Sequence, residues 1–301
     1  MDLWQLQIFC KVIELKSFSK AGDAVHLSQP TVSSHIKDLE EHFGARLVDR
    51  MSRQALPTKA GELLYDYALR LIALRDRTEA ALAEFSGKIK GNLTIGGSTI
   101  PGGYLLPRVI GLFSKAYPEV RVSLKVADTS QTLAEILAGR IEAGVVGARS
   151  SDKLLRQEPL LEDEMRLIVP AAHPWAGRQR VKIKELLGEP FIIRESGSGT
   201  LRSIAQQLGK KGHSINEFRI VAEMGSTEAV RQAIKSNVGF SILSPIAVAD
   251  DIKAGLLKAV AVEGLALKRS FYLTTHKQRT PSPLCGTFIE FLKQHIQPVD
   301  G

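Results

Sequence analysis

A chain of 301 residues with 44% hydrophobic and 24% charged content is ordinary for a globular protein and long enough for two or three packed domains. Its two cysteines, Cys10 and Cys285, form neither a C-x-x-C pair nor a disulfide framework, which fits a reducing compartment. The net charge of +8 invites an anionic partner, but residues 1–91 hold 13 Lys+Arg against 12 Asp+Glu and the remainder 27 against 20, so any nucleic-acid contact near the N-terminus must rest on where individual cations sit.

Leu3, Leu6, Phe9 and Ile13 recur at helical spacing, so the chain opens with a helix; an acid at position 2 and the amphipathic pattern are unlike a signal peptide. Ser17 and Ser19 can cap a second, short helix, SKAGDAVHL, in which Ala21 and Ala24 are small enough for close packing. HLSQPTVSSHIKDLE then carries Val32, Ile36 and Leu39 on one face, with Ser28 as a good N-cap and Pro30 suited to a first turn. Two short helices across a tight polar turn, behind a first helix, predict a helix-turn-helix. Gly44 ends the third helix, and RLVDRMSRQALPT reads as a two-stranded wing bearing Arg50 and Arg53. Residues 1–58 form this first domain.

From Lys59 to Phe85 one helical pattern runs without proline. Leu64, Tyr67, Leu71, Leu74, Thr78, Ala81 and Phe85 alternate spacings of three and four, a seam that calls for a partner helix. We assign 59–91 as a dimerising linker, closing in SGKIKGN. Beyond residue 92 the texture changes to short β-rich runs (NLTIGGS, VRVSLKVA, EAGVVG, MRLIVP, PFIIRE, FRIVAE, GFSILS, SFYLTTH) alternating with helical segments. That alternation predicts an α/β domain with a mostly parallel sheet over 92–301. The apolar stretch VGFSILSPIAVA is too short for a membrane span and contains Pro245.

The combination of A-x-x-x-x-L-S-Q-P-x-V-S with I-x-x-L-E, G-x-x-L and T-x-A-G, joined further on by HPWA, the PFI strand with its Gly/Ser turn, and VGFSILSP, resembles the LysR-type transcriptional regulators over essentially the whole chain. The resemblance implies a winged helix-turn-helix, a linker helix and a two-lobed effector domain like a periplasmic binding protein, with lobe I at 92–163 and 266–301 and lobe II at 164–265. It also implies a cytoplasmic homodimer assembling to a homotetramer on double-stranded operator DNA, with RNA polymerase as a further candidate partner, no membrane and no cofactor. The chain departs from the family at Ser34, often basic, and at His35, often Gln. IGGSTIPGGYLLP resembles the subset linked to sulfur or related oxyanion metabolism.

A recognition helix enters the major groove by its N-terminus. Gln29 and Ser33 are then placed for bases, since Gln pairs with adenine N6/N7 and Ser serves either strand, and Pro30 can meet a thymine methyl. Thr31, Ser34 and Lys37 suit phosphates; Arg50 and Arg53 suit the adjacent backbone or minor groove. In the second half three Ser/Thr clusters precede helices: Ser98-Thr99, Ser196-Gly197-Ser198-Gly199-Thr200 and Ser226-Thr227, with Ser130 and Gln131 a weaker addition. Each alone reads first as a helix cap. Together they point to a small anionic effector held by helix N-termini. No Arg or Lys lies within the clusters, so neutral donors are expected to hold the charge.

Competing functions fare worse. A transporter's solute-binding protein shares the architecture of the second half but not the helix-turn-helix. An enzyme would need a motif the chain lacks: there is no G-x-S-x-G, Walker G-x-x-x-x-G-K-[ST] or G-x-G-x-x-G after a strand. The seven histidines show no metal-ligand spacing, and His173 in HPWA reads as a turn residue. We therefore expect no catalysis, no metal and no cofactor.

Overall fold

The computed structural model describes residues 1–49, 54–85 and 89–297, and the chain forms two compact units, Met1–Leu82 and Ala83–Gly301. In the first unit, helix α1 (Leu3–Leu15) starts in a capping box: the Gln5 amide donates to the Asp2 carboxylate at 2.7 Å while the Gln5 side chain accepts from the Asp2 amide at 3.0 Å. Ser17 caps α2 (Phe18–Val25) and Ser28 caps α3 (Gln29–Phe43), which ends at Gly44 in the left-handed region (φ 63°). Leu6, Phe9, Val12, Val32, Ile36 and Leu39 interlock as the core. Ala21 is buried, as close packing of α2 requires, but Ala24 is exposed.

The family motifs of this unit are used to fold it. The Glu40 carboxylate of I-x-x-L-E accepts the backbone amides of Leu47 and Val48 at 2.9 and 3.2 Å, which fixes where the wing begins. The wing pairs β1 (Val48–Asp49) antiparallel to β2 (Leu56–Pro57). Thr58 of T-x-A-G donates to the Arg46 carbonyl at 2.6 Å and accepts from the Gly61 amide, capping α4 (Lys59–Phe85). Gly61 is required by close approach, since a Cβ there would sit 2.0 Å from the Leu47 carbonyl oxygen. Along α4, Ala68 is fully buried and Leu64, Tyr65, Leu69 and Ile72 pack on the unit's own core, whereas Leu63, Tyr67, Leu71 and Leu74 are exposed. Leu64 thus serves the intramolecular core, and the exposed stripe runs from Leu63 to Leu74. The side chains of Ala81 and Phe85, the end of the expected seam, lie outside the described residues, as do Arg50 and Arg53.

The second unit contains two sheet systems. In chain order come β3 (Gly91–Ser98), a π turn at Pro101–Leu105, α5 (Leu106–Ala116), β4 (Val120–Ala127), α6 (Thr129–Leu137), β5 (Ala143–Val146) and β6 (Leu155–Glu164). Then follow β7 (Arg166–Pro170), β8 (Arg180–Lys182), α7 (Ile183–Leu186), β9 (Phe191–Arg194), α8 (Gly199–Gly209), β10 (Ile220–Met224), α9 (Thr227–Lys235), β11 (Ser241–Leu243), α10 (Ala249–Lys253) and β12 (Leu257–Glu263). The chain closes with β13 (Lys268–His276) and α11 (Pro283–His295). One sheet runs β4-β3-β5-β13-β6; the other system is β11-β7-β12-β8 with the parallel pair β9/β10 beside it. Strand β6 leads into β7, and β12 into β13, so these two passages link the sheets.

Both lobes are mixed, not mostly parallel. β13 pairs antiparallel with β5 and β6, and β7 with β11 and β12, because the chain leaves one sheet for the other once and returns once. The strands absent from the sequence reading have clear reasons. β6, LRQEPLLEDE, is a charged edge strand whose Pro159 sits at a register shift against β13, where a missing N–H is tolerated. β8 and β12 are short or interrupted apolar runs. HPWA forms a turn in which the Trp175 amide donates to His173 Nδ1 at 3.2 Å, while Trp175 packs edge-on against Phe240, 5.1 Å between centroids.

Candidate functional site

On α3, Gln29, Pro30, Thr31, Ser34 and Lys37 are exposed and Ser33 is half-buried. Behind them Val32, Ile36 and Leu39 are fully buried, so the helix is anchored while its first turn is open. The Thr31 hydroxyl shares a 2.8 Å hydrogen bond with Ser28, and the Thr31 amide donates to the same cap. Among the described residues Lys37 pairs with Glu41 alone, a solvent-exposed contact at 3.3 Å that leaves its charge available. The surface is therefore a rigid rod with short polar groups at its N-terminal end, the shape a major groove accepts.

In the second unit the chain brings together the ends of β3, β4 and β9 with the starts of α6, α8 and α9. Thr99, half-buried, accepts from Arg194 Nη1 at 3.2 Å. Thr227, buried, accepts from the same nitrogen at 2.6 Å and donates to Thr99 at 3.2 Å. Thr200, buried, accepts from Arg269 Nη1 at 3.0 Å. Ser98 is buried at the end of β3. Ser198 and Ser226 spend their hydroxyls capping α8 and α9, the structural reading of those clusters. Ser196 is exposed. Ser130, also exposed, donates to the Gly197 carbonyl at 3.4 Å and accepts from Arg202 at 3.0 Å, linking residues of the two sheet systems. The Gln131 side chain is exposed and its amide is capped by Asp128.

Charge enters this cleft from residues outside the clusters. Arg194, at the end of β9, has 1% of its side chain exposed and forks onto its neighbour Glu195 at 2.6 and 2.7 Å. Arg269, on β13, pairs with buried Asp163 at 2.7 Å, and Ser244 donates to the other Asp163 oxygen at 2.8 Å. Burial pulls the Arg269 pKa below the usual guanidinium range; Asp163 opposes that shift and the like charge of Arg194 adds to it. The expectation of neutral donors alone is thus corrected: two guanidiniums reach the site from strands that sequence spacing did not connect to it. PFIIRE was the available signal, since a strand-end arginine directly precedes the Ser/Gly turn. Arg269 is the second residue of β13, ahead of the apolar run SFYLTTH, and had none.

The clearest feature is Thr129, the first residue of α6. It is 1% exposed, and its hydroxyl has no hydrogen-bond partner among the described residues. It faces the start of α8 so closely that a Cβ on Gly199 would lie 2.7 Å from that oxygen and 3.1 Å from the Gly147 carbonyl carbon. Among the described residues no group of three His, Cys, Asp or Glu could hold a metal ion, and no helix is long and apolar enough to cross a membrane.

Residues 3–62 match the bacterial regulatory helix-turn-helix protein, lysR family, and residues 86–297 match the LysR substrate binding domain. The probable RuBisCO transcriptional regulator of Cyanidioschyzon merolae (strain NIES-3377 / 10D) is 34% identical over 289 residues, 95% of each chain. That of Guillardia theta is 34% identical over 300 residues, 98% of this chain and 97% of the relative. Among solved structures, CbnR, a LysR family transcriptional regulator, superposes with a TM-score of 0.74 at 19% identity, covering 99% of this chain and all of CbnR. The Synechocystis PCC6803 CcmR regulatory domain in complex with 2-PG has a TM-score of 0.63 at 27% identity, covering 68% of this chain and 97% of that one. The sulfur-linked subset suggested by IGGSTIPGGYLLP is not needed to account for these matches. The chain belongs to the LysR family: it is a DNA-binding transcriptional regulator with a helix-turn-helix domain and an effector-binding domain, and not an enzyme.

Proposed function

We propose that this regulator is controlled by a small anionic effector bound between the lobes of its C-terminal domain, lobe I being 92–163 with 266–301 and lobe II 164–265. The observation that carries the reading is the buried, unpartnered Thr129 hydroxyl between α6 and α8. A buried polar group left unpaired costs about 1–3 kcal/mol, a cost that a ligand able to reach it would offset. Arg194 and Arg269 supply positive charge beside it, and Thr99 and Thr200 supply hydroxyls on the two sides. The 2-PG in the CcmR regulatory domain supports an anion of this size. A ligand bridging both lobes favours one closure state over the other and so shifts their equilibrium.

The DNA contacts belong to the same reading. Gln29 and Ser33, with Pro30, address bases; Thr31, Ser34 and Lys37, with Arg50 and Arg53 of the wing, address the backbone. The exposed Leu63–Leu74 stripe of α4 supports a homodimer, and further contacts would build the homotetramer. The place of action is the cytoplasm, and an activating role would add RNA polymerase as a partner.

Calorimetry with 2-PG, sulfate, thiosulfate, selenate, phosphate and small carboxylates tests the effector. Thr129→Val, nearly isosteric, should leave the ligand-free protein at least as stable as the parent and weaken the best anion roughly tenfold. Thr99→Ala and Thr200→Ala should weaken it too. Equal affinity in all three variants would remove the cleft assignment, and binding of neutral or aromatic compounds alone would remove the anion.

A further inference from the structure

A cavity of about 610 Å³ opens beside the cleft and is lined by Arg149, Arg202, Lys268 and Arg269, with Gly147 and Tyr272 completing its wall. It adjoins the Thr200 region through Arg269, whose Nη1 donates to Thr200, and through Gly147, which lies against Gly199. Three segments meet there: the end of β5, the flank of α8 and the start of β13. Ser203 and Gln206, further along α8, add neutral hydrogen-bonding groups. Its volume falls in the range that holds a small molecule.

The charge in this cavity is unbalanced. No Asp or Glu lines it among the described residues. Arg149 lies over the Tyr272 ring at 5.9 Å, Arg202 donates to the Ser130 hydroxyl, and Lys268 is exposed; none of the three is in an ion pair among the described residues. Asp163 offsets only Arg269. The nearest acids by strand register, Glu164 and Glu162, stand on β6 opposite Lys268 and Ser270; neither lines the cavity, and Arg166 engages Glu164 at 3.2 Å. Arg269 also has a buried Nη2 with no hydrogen-bond partner among the described residues, on a side chain only 5% exposed. Like charges gathered in a concave, partly dry setting repel, and an anion placed among them removes that repulsion while accepting charge-assisted hydrogen bonds. Guanidiniums in particular match the paired oxygens of a phosphate or carboxylate.

We propose that this cavity is a second anion site, taking a phosphate-type group carried by a small molecule. The group is either the second charged end of the effector in the cleft or a separate free anion. The site stands on its own residues and does not depend on the Thr129 reading, although the two share Arg269.

The test uses the full-length protein and two probes, inorganic phosphate and 2-PG, titrated calorimetrically into the parent, Arg149→Gln/Lys268→Gln, and Thr129→Val. Both residues of the double variant are exposed, so the fold is not put at risk. The double variant should weaken the binding of at least one probe by about tenfold or more, the scale of lost charged hydrogen bonds. Lys253→Gln/Lys258→Gln, exposed on α10 and at the start of β12 and absent from the cavity's lining, removes the same net charge and should stay within about twofold of the parent, because screened surface charges contribute little. One 2-PG per chain, weakened by both Arg149→Gln/Lys268→Gln and Thr129→Val, supports a single molecule spanning the two sites. Two phosphates per chain, one lost in each variant, supports separate anions. Loss in Arg149→Gln/Lys268→Gln alone supports this site and removes the cleft reading. The proposal is overturned if the double variant binds both probes as the parent does, if the remote control loses as much, or if the parent binds neither.

Discussion

The first turn of α3 and the cleft of the second unit are both polar, but they are built in opposite ways. On α3 the short polar side chains project from a fully buried apolar stripe and lie open to solvent. In the cleft, hydroxyls and guanidiniums are buried and locked in networks, Arg194 by Glu195, Thr99 and Thr227, and Arg269 by Asp163 and Thr200. On the function proposed above, the difference follows from the partners. DNA presents base edges and phosphates at the surface of a groove, so the reader must be accessible and only its backbone need be rigid. A small anion offers few contacts, so its donors must be desolvated and oriented before it arrives.

The largest expected effect comes from breaking the order of the cleft. Asp163→Ala leaves the Arg269 charge buried without its partner and should cost about 3–5 kcal/mol in urea unfolding, as broken buried pairs do. A loss below about 1 kcal/mol would show that the cleft is as well solvated as the α3 surface.

Next is Leu71→Asp on the exposed stripe of α4. It should weaken self-association by on the order of 2 kcal/mol or more if a partner covers that stripe, because a charge would then be buried unpaired. Sedimentation of an unchanged oligomer would show the stripe to be solvated. Gln29→Ala sharpens the opposite pole of the comparison. It should leave thermal stability within about 0.5 kcal/mol, as an exposed residue does. It should also cost roughly 1–3 kcal/mol on a specific operator and less on random DNA; equal losses on both would make Gln29 a positioning residue.

The smallest effect is a pH dependence in lobe II. A hydrogen bond from Arg231 holds the buried Asp251 carboxyl below the usual carboxylate range; burial opposes that shift, and Lys235 adds to it. A depressed folded-state pKa contributes stability that is fully present above the unfolded pKa and is lost as pH falls through the folded value. The difference in urea midpoint between the parent and Asp251→Asn should therefore stay constant near neutrality and narrow only below about pH 4. A gap that narrows between pH 7 and 5 would contradict this.

How far the sequence announced each region follows the same contrast. The first unit was legible because its information is local: Ser17, Ser28 and Thr58 cap the helices they precede, and Glu40 reaches a wing only seven residues on. Spacing along α4 could not tell Leu64, which turns to its own core, from Leu71, which does not. The cleft was half legible. Thr99 and Thr200 sit in visible Ser/Thr runs at strand ends. Arg269 reaches Thr200 from 69 residues away, and Asp163 is 106 residues from Arg269, a juxtaposition no periodicity encodes. β6 was hidden by its own edge chemistry, charges and a proline where a central strand would carry β-branched residues.

Gly199 gives the cleft a genetic consequence. Any side chain at this position must push against the Thr129 hydroxyl and the Gly147 backbone at once, so a single codon change acts as a wedge between lobes without touching the charged groups. Selection for mutants that ignore the effector should therefore recover Gly199→Ala or Gly199→Ser, folded and DNA-competent, with the lobes held apart whatever the effector concentration.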